Sequence, residues 1–168
     1  MGNFFLHVAA SKGLLGLVPS EVLTMESMLK ADGNNDNVYD YAVSGGMFSS
    51  LPETLLVEKA LIETNGNFHI DGILHSNGNS VLHKAALKGK LDQIPEQFLT
   101  EKNLRIGNLE AQTVFHCAAI GGCLDQIPES VLTLDNLCRV DGYGQSVFIV
   151  AADHGVLTTL PVGLLNVN

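Results

Sequence analysis

Three sets of residues in this 168-residue chain could do chemistry: an acidic cluster, six histidines and three cysteines. Asp32, Asn34 and Asp36 spell the D-x-N-x-D opening of a calcium loop, where hard oxygen ligands converge on one ion. The continuation fails that chemistry, because Asn37 stands where the loop needs glycine and Val43 where a bidentate glutamate must close the shell. His7, His83 and His116 share one context, in LHVAA, LHKAA and FHCAA. That shared context places them in separate structural units, held apart by the roughly 8–10 Å of helix packing, so they do not converge on a metal. Cys117, Cys123 and Cys138 form no C-x-x-C pair, and an odd, unpatterned set reads as small buried or half-buried fillers in a reducing compartment. Gly142-Tyr143-Gly144 is too short for a phosphate loop, and there is no Gly-x-Ser-x-Gly. The expectation is a chain that is not an enzyme and holds no cofactor and no metal.

What positions these residues is repetition. All five prolines, Pro19, Pro52, Pro95, Pro128 and Pro161, fall at one phase, spaced 33, 43, 33 and 33 residues. A glycine precedes each by six residues: Gly13, Gly46, Gly89, Gly122 and Gly155. Two markers keeping one period mean that a single unit has been copied. Between Leu82–Leu99 and Phe115–Leu132, 11 of 18 residues are identical. The copies run approximately over 1–31, 32–74, 75–107, 108–140 and 141–168, as a single domain.

Each copy opens on a short amphipathic helix. Leu82, Ala85, Ala86 and Gly89 recur at i, i+3, i+4 and i+7, one stripe whose small residues let neighbouring helices approach. Ser80 or Thr113 stands where an N-cap hydroxyl is wanted, and His83 or His116 follows three residues later to bond back across the cap. In the second copy Asn37 and Asp40 rebuild the same reciprocal pair with other chemistry. The glycine then ends the helix in a left-handed turn.

The segment GNSVLHKAALKG resembles the ankyrin repeat, with its period of 33 and T-P-L-H-x-A pattern. Ser80, Thr113 and Ser146 occupy the threonine position, while Val81, Val114 and Val147 replace the proline. The resemblance implies an all-α fold: an ankyrin-like helix-turn-helix repeat solenoid of about five copies. After the glycine the chain departs from the family, because LDQIP interrupts the second helix and proline inside a helix costs about 3 kcal/mol. Leu91–Ile94 is therefore expected as a short turn, Pro95–Leu99 as a second with the proline in its first turn, and Thr100 as the cap of a third reaching Leu104.

Nine basic residues against 18 acidic ones give a net charge of −9, the wrong sign for coating a phosphate backbone. Apolar runs fall far short of a membrane span. The expected setting is cytoplasmic, with no nucleic-acid or membrane partner.

The ankyrin resemblance places the turn before each cap, and the residues after the Ala-Ala pair, in a concave groove. Carried over, the candidate partner-binding strip is Asn34, Asp36 and Ser44; Asn77, Asn79, Leu87 and Lys88; Glu110, Gln112 and Ile120; Tyr143, Gln145, Asp153 and His154. The first copy would add Asn3, Ser11 and Lys12. Such a strip suits another protein: an aromatic or aliphatic anchor among adaptable polar groups. Two irregularities remain. Ile62 to Asn77 carries 10 extra residues, with Asn65-Gly66 signalling a β-hairpin, at a loop cost of only about 0.9 kcal/mol. The terminal copies also look unfinished, which reads either as a fragment of a longer array or as ends that stack on another chain, an end-to-end self-association. The functional expectation is a non-enzymatic protein-binding scaffold. Its alternatives are a targeting or regulatory module of a larger enzyme or effector, and a spacer.

Overall fold

A computed structural model describes residues 4–34, 36–62, 78–160 and 164. Among them all regular structure is helical, short α-helices interspersed with 3-10 turns of three residues, and backbone bridging is limited to the isolated pairs Gly107–Thr113 and Val140–Ser146. No helix among the described residues is long and apolar enough to cross a membrane. The chain divides into two compact units, residues 1–81 and 82–168.

The first unit holds α1 (Phe4–Ser11), α2 (Met25–Leu29), α3 (Val38–Gly45) and α4 (Glu58–Ile62). Leu6, Ala10, Leu15, Val38, Tyr39, Ala42, Val43 and Phe48 are at most 1% exposed and form its core, where α1 packs on α3. The close approach rests on Gly45: a Cβ there would lie 2.3 Å from the carbonyl oxygen of Ser11. The expected hairpin falls almost wholly on residues 63–77, outside the described residues, while Ile62 is the last residue of α4.

The second unit carries α5 (Val81–Leu87), which begins one residue before it, then α6 (Glu101–Leu104), α7 (Val114–Gly121), α8 (Leu134–Leu137) and α9 (Val147–Asp153). Its core runs through Leu82, Ala85, Ala86, Leu91, Leu104, Phe115, Ala118, Ala119, Leu124, Leu137 and Ala151, each fully buried. Here the glycine that permits close packing is Gly121, whose Cβ would fall 2.0 Å from Ala86 O.

Local rules explain where these helices start and stop. The expected reciprocal cap of α3 is present: Asp40 N donates to Asn37 Oδ1 at 3.1 Å and Asn37 N to Asp40 Oδ2 at 2.9 Å. Thr24 and Ser27 form the same box on α2. Thr100, Thr133 and Ser146 accept the amide three residues on at 3.3 Å each, capping α6, α8 and α9. At the other end, Gly13, Gly46, Gly89, Gly122 and Gly155 all adopt φ between 66° and 73°, the left-handed turn expected of them. The residue after each glycine donates back to the alanine at the helix centre, for example Lys90 N to Ala85 O and Cys123 N to Ala118 O, both 2.9 Å. That five-residue reach closes a Schellman end and explains why alanine recurs there.

The proline segments fold as 3-10 turns, Leu91–Gln93 then Glu96–Phe98, and again Leu124–Gln126 then Glu129–Val131. One detail differs from expectation. Pro52, Pro95 and Pro128 precede the second turn as extended residues (φ −56° to −54°, ψ 130° to 133°), with the proline carbonyl accepting its first hydrogen bond. The ring presets φ one residue before the turn, where no amide hydrogen is needed.

Candidate functional site

The residues ahead of α3, α7 and α9 form three turns of one construction. Asp32 Oδ1 accepts the amides of Asn34 (2.8 Å) and Asp36 (3.1 Å). Asn108 Oδ1 does the same for Glu110 (3.0 Å) and Gln112 (2.9 Å), and Asp141 Oδ1 for Tyr143 (2.9 Å) and Gln145 (3.0 Å). In each turn the Asx amide donates to the carbonyl four residues on, at 2.9, 2.9 and 3.0 Å. An Asx side chain that replaces backbone partners is a turn-former, so the acidic cluster at 32–36 organises its own chain. Tyr41 also donates its hydroxyl to Asp32 Oδ2 at 2.8 Å. Burial pushes the Asp32 carboxyl up, but the Tyr41 hydroxyl and the two amides outweigh it and hold the group below its ordinary value. The repeat alignment reads Asp32, Asn34 and Asp36 as an inter-repeat turn, but the side chains of Asp32, Asn108 and Asp141 as its formers were not read from the sequence, although Asn108 and Asp141 lie one period of 33 apart.

With their amides turned inward to the Asx oxygen, the strip residues of these turns reach the surface to different degrees. Asn34 is exposed and Asp36 half-buried in the first unit, while Ser44 is exposed and donates to Asp40 O at 2.7 Å. In the second unit Glu110, Gln112, Ile120 and Gln145 are half-buried, as is Leu87, whereas Lys88, Asp153 and His154 are exposed. Tyr143 is 69% exposed, the most open aromatic side chain among the described residues. Gly142 N donates to Glu110 O at 2.7 Å and so draws the 108–112 and 141–145 turns side by side. A Cβ at Gly142 would sit 2.8 Å from that oxygen, so this contact needs glycine. Asn79 is half-buried; Asn77 and Asn3 lie outside the described residues. Ser11 is half-buried and Lys12 exposed.

His116 closes the expected reciprocal cap of α7 with Thr113, and all three equivalent histidines also do something a sequence reading did not reveal. Thr113 N donates to His116 Nδ1 at 3.1 Å, so the ring proton sits on Nε2, 3.2 Å from Gln145 O. His83 Nε2 lies 3.0 Å from Ile106 O and 3.1 Å from Gln112 O, and His7 Nε2 lies 3.1 Å from Lys30 O. Each ring therefore ties its helix to backbone 23 or 29 residues further on. Burial pushes His83 and His116 below the ordinary imidazole value, with the backbone bonds opposing it.

Further ties join the same elements. Gln126 donates to Gly89 O at 3.1 Å and accepts Asp92 N at 3.0 Å, and Arg105 bonds both Glu101 and Asp135. The filler reading of the cysteines needs one correction. Cys117 and Cys123 are buried, and burial pushes both thiols up to about 12, but Cys138, the C-cap residue of α8, is exposed. Chemically, the turns and strip offer hydrogen-bonding and aromatic contact. No protein-family model matches the chain, and no curated protein matches it.

Proposed function

We propose that the chain is a non-enzymatic protein-binding scaffold, an ankyrin-like solenoid of about five 33-residue copies that holds another protein against its turn and helix strip. The observation that carries this reading is the contrast within the three turns. Their frame is constant, with one Asx oxygen taking two amides each time, while the presented side chains change from Asn34 and Asp36 to Glu110 and Gln112 to Tyr143 and Gln145. A fixed frame with variable, partly exposed side chains supports recognition, because preorganised backbone lowers the ordering cost of binding. Tyr143 is the anchor of the strip, since aromatic side chains are enriched among interface hot spots.

The test is a display selection of peptides on the folded chain, followed by amide chemical-shift mapping of the tightest binder. Shifts centred on 108–120 and 141–154, with affinity lost at least tenfold in Tyr143→Ala, are expected. Binding centred elsewhere, or unchanged in Tyr143→Ala, overturns the reading.

A further inference from the structure

We infer that the tie between His83 and the 106–112 segment is an acid-released latch inside the second unit, set apart from the other two histidine ties by the Asx residue beside it. The latch is independent of what the strip binds. His7, His83 and His116 are 2%, 0% and 0% exposed, and each ring holds a backbone carbonyl of the segment that carries the next Asx turn. What differs is the charge of that Asx residue. Asp32 and His7 lie close enough for their charges to act on one another, as do Asp141 and His116. One period before Asp141, at the His83 tie, stands the neutral amide of Asn108.

The second atom of each Asx side chain sharpens the contrast. Asp141 Oδ2 is buried without a hydrogen-bond partner, an acceptor for a cationic ring beside it. Asn108 presents Nδ2 instead, which donates to Gln112 Oε1 at 3.4 Å, and an N–H donor cannot neutralise a cation. The charged and titratable groups on the elements around His83 are Lys84 on α5, Glu101, Lys102 and Arg105 on α6 and its C-cap, Glu110 in the turn, and His116 on α7, which stacks on α5 through Gly121. Burial outweighs what favours the charged ring and holds His83 below its ordinary value, whereas at His116 the Asp141 carboxylate opposes the same effect. A ring that refuses a proton when closed accepts it when open, so proton uptake drives opening. The open population grows about tenfold per pH unit below the unfolded value of about 6.5, until the folded value is reached. Opening frees the 106–112 segment, the middle one of the three Asx turns, while those at Asp32 and Asp141 stay closed.

The experiment is native-state hydrogen exchange at pH 7.5 and 5.5 on the wild-type chain, Asn108→Asp and Asp141→Asn, read as protection factors so that the intrinsic pH dependence of exchange cancels. The reporters are matched amides: Glu110 and Gln112, which donate to Asn108 Oδ1, and Tyr143 and Gln145, which donate to Asp141 Oδ1. In wild type the first pair should lose about tenfold in protection at the lower pH, and the second pair less than about threefold. Asn108→Asp should remove the loss at Glu110 and Gln112, and Asp141→Asn should give Tyr143 and Gln145 a loss of about tenfold. Equal losses at both turns in wild type, a loss that survives Asn108→Asp, or a second turn unchanged in Asp141→Asn each overturns the latch. Should either variant fail to fold, the ring Cε1 resonances of the wild-type chain decide: as the pH falls His83 should take its proton after His116, and simultaneous or reversed uptake overturns the proposal.

Discussion

Replacing His116 separates its two jobs. In His116→Ala the buried Thr113 amide loses its acceptor, a cap loss of about 0.5–2 kcal/mol. The Nε2 bond to Gln145 O also disappears, for about 1 kcal/mol. Gln145 O keeps the Asp141 amide at 3.0 Å, so no orphaned carbonyl adds to that figure. The expected total is about 1.5–3 kcal/mol, or roughly 3–12 °C in Tm for a chain of this size. His116→Asn keeps an oxygen within reach of the Thr113 amide but cannot span to Gln145, so it should cost only about 1 kcal/mol. Urea midpoints give the two stabilities, and hydrogen exchange at the Thr113 amide identifies the lost bond: fast in the alanine variant, protected in the asparagine variant. Equal midpoints for the two variants, or a Thr113 amide as protected in His116→Ala as in wild type, would refute the division into cap and tie.

Stability should be full above pH 6.5 and fall as the pH drops below it towards the lower folded values of His83 and His116, because the unfolded chain takes up protons there that the buried rings refuse. The Asp32 share, from a lowered carboxyl, should survive to about pH 3.8 and be lost only below it, so a urea midpoint unchanged between pH 7.5 and pH 5 would contradict the histidine argument. Gly121→Ala should cost about 3 kcal/mol, since its Cβ meets Ala86 O at 2.0 Å, whereas Gly16→Ala, with nothing within 4 Å, should be near neutral; thermal melts that rank them the other way would remove the close-approach explanation. Asp141→Asn should leave the denaturation midpoint within about 0.5 kcal/mol because Asn108 already performs the same turn with an amide oxygen, while Asp141→Ala should lose about 1–2 kcal/mol; equal losses would show that the turn does not depend on that oxygen.

Asn37 with Asp40, Thr100 and the five glycines of the helix ends were legible in the sequence because caps and left-handed turns are settled within about five residues by backbone sterics and short hydrogen bonds. The same holds for the proline segments, where a fixed φ and a missing amide hydrogen leave few conformations, so LDQIP announced consecutive short turns even though the proline fell one residue ahead of its expected place. The Asx turns at Asp32, Asn108 and Asp141 are equally local, since each side-chain oxygen takes amides only two and four residues on. Tertiary structure alone decided the rest. The reach of His83 to Ile106 and Gln112, the grip of Gln126 on Gly89 and Asp92, and the need for glycine at 45 and 121 rather than only at 46 and 122 all depend on which backbone stacks on which helix, and at what distance. A histidine's type tells that it can make two bonds; only the packing of distant segments supplies the second partner, because that carbonyl lies more than 20 residues away and comes within 3.2 Å only when the helices have stacked.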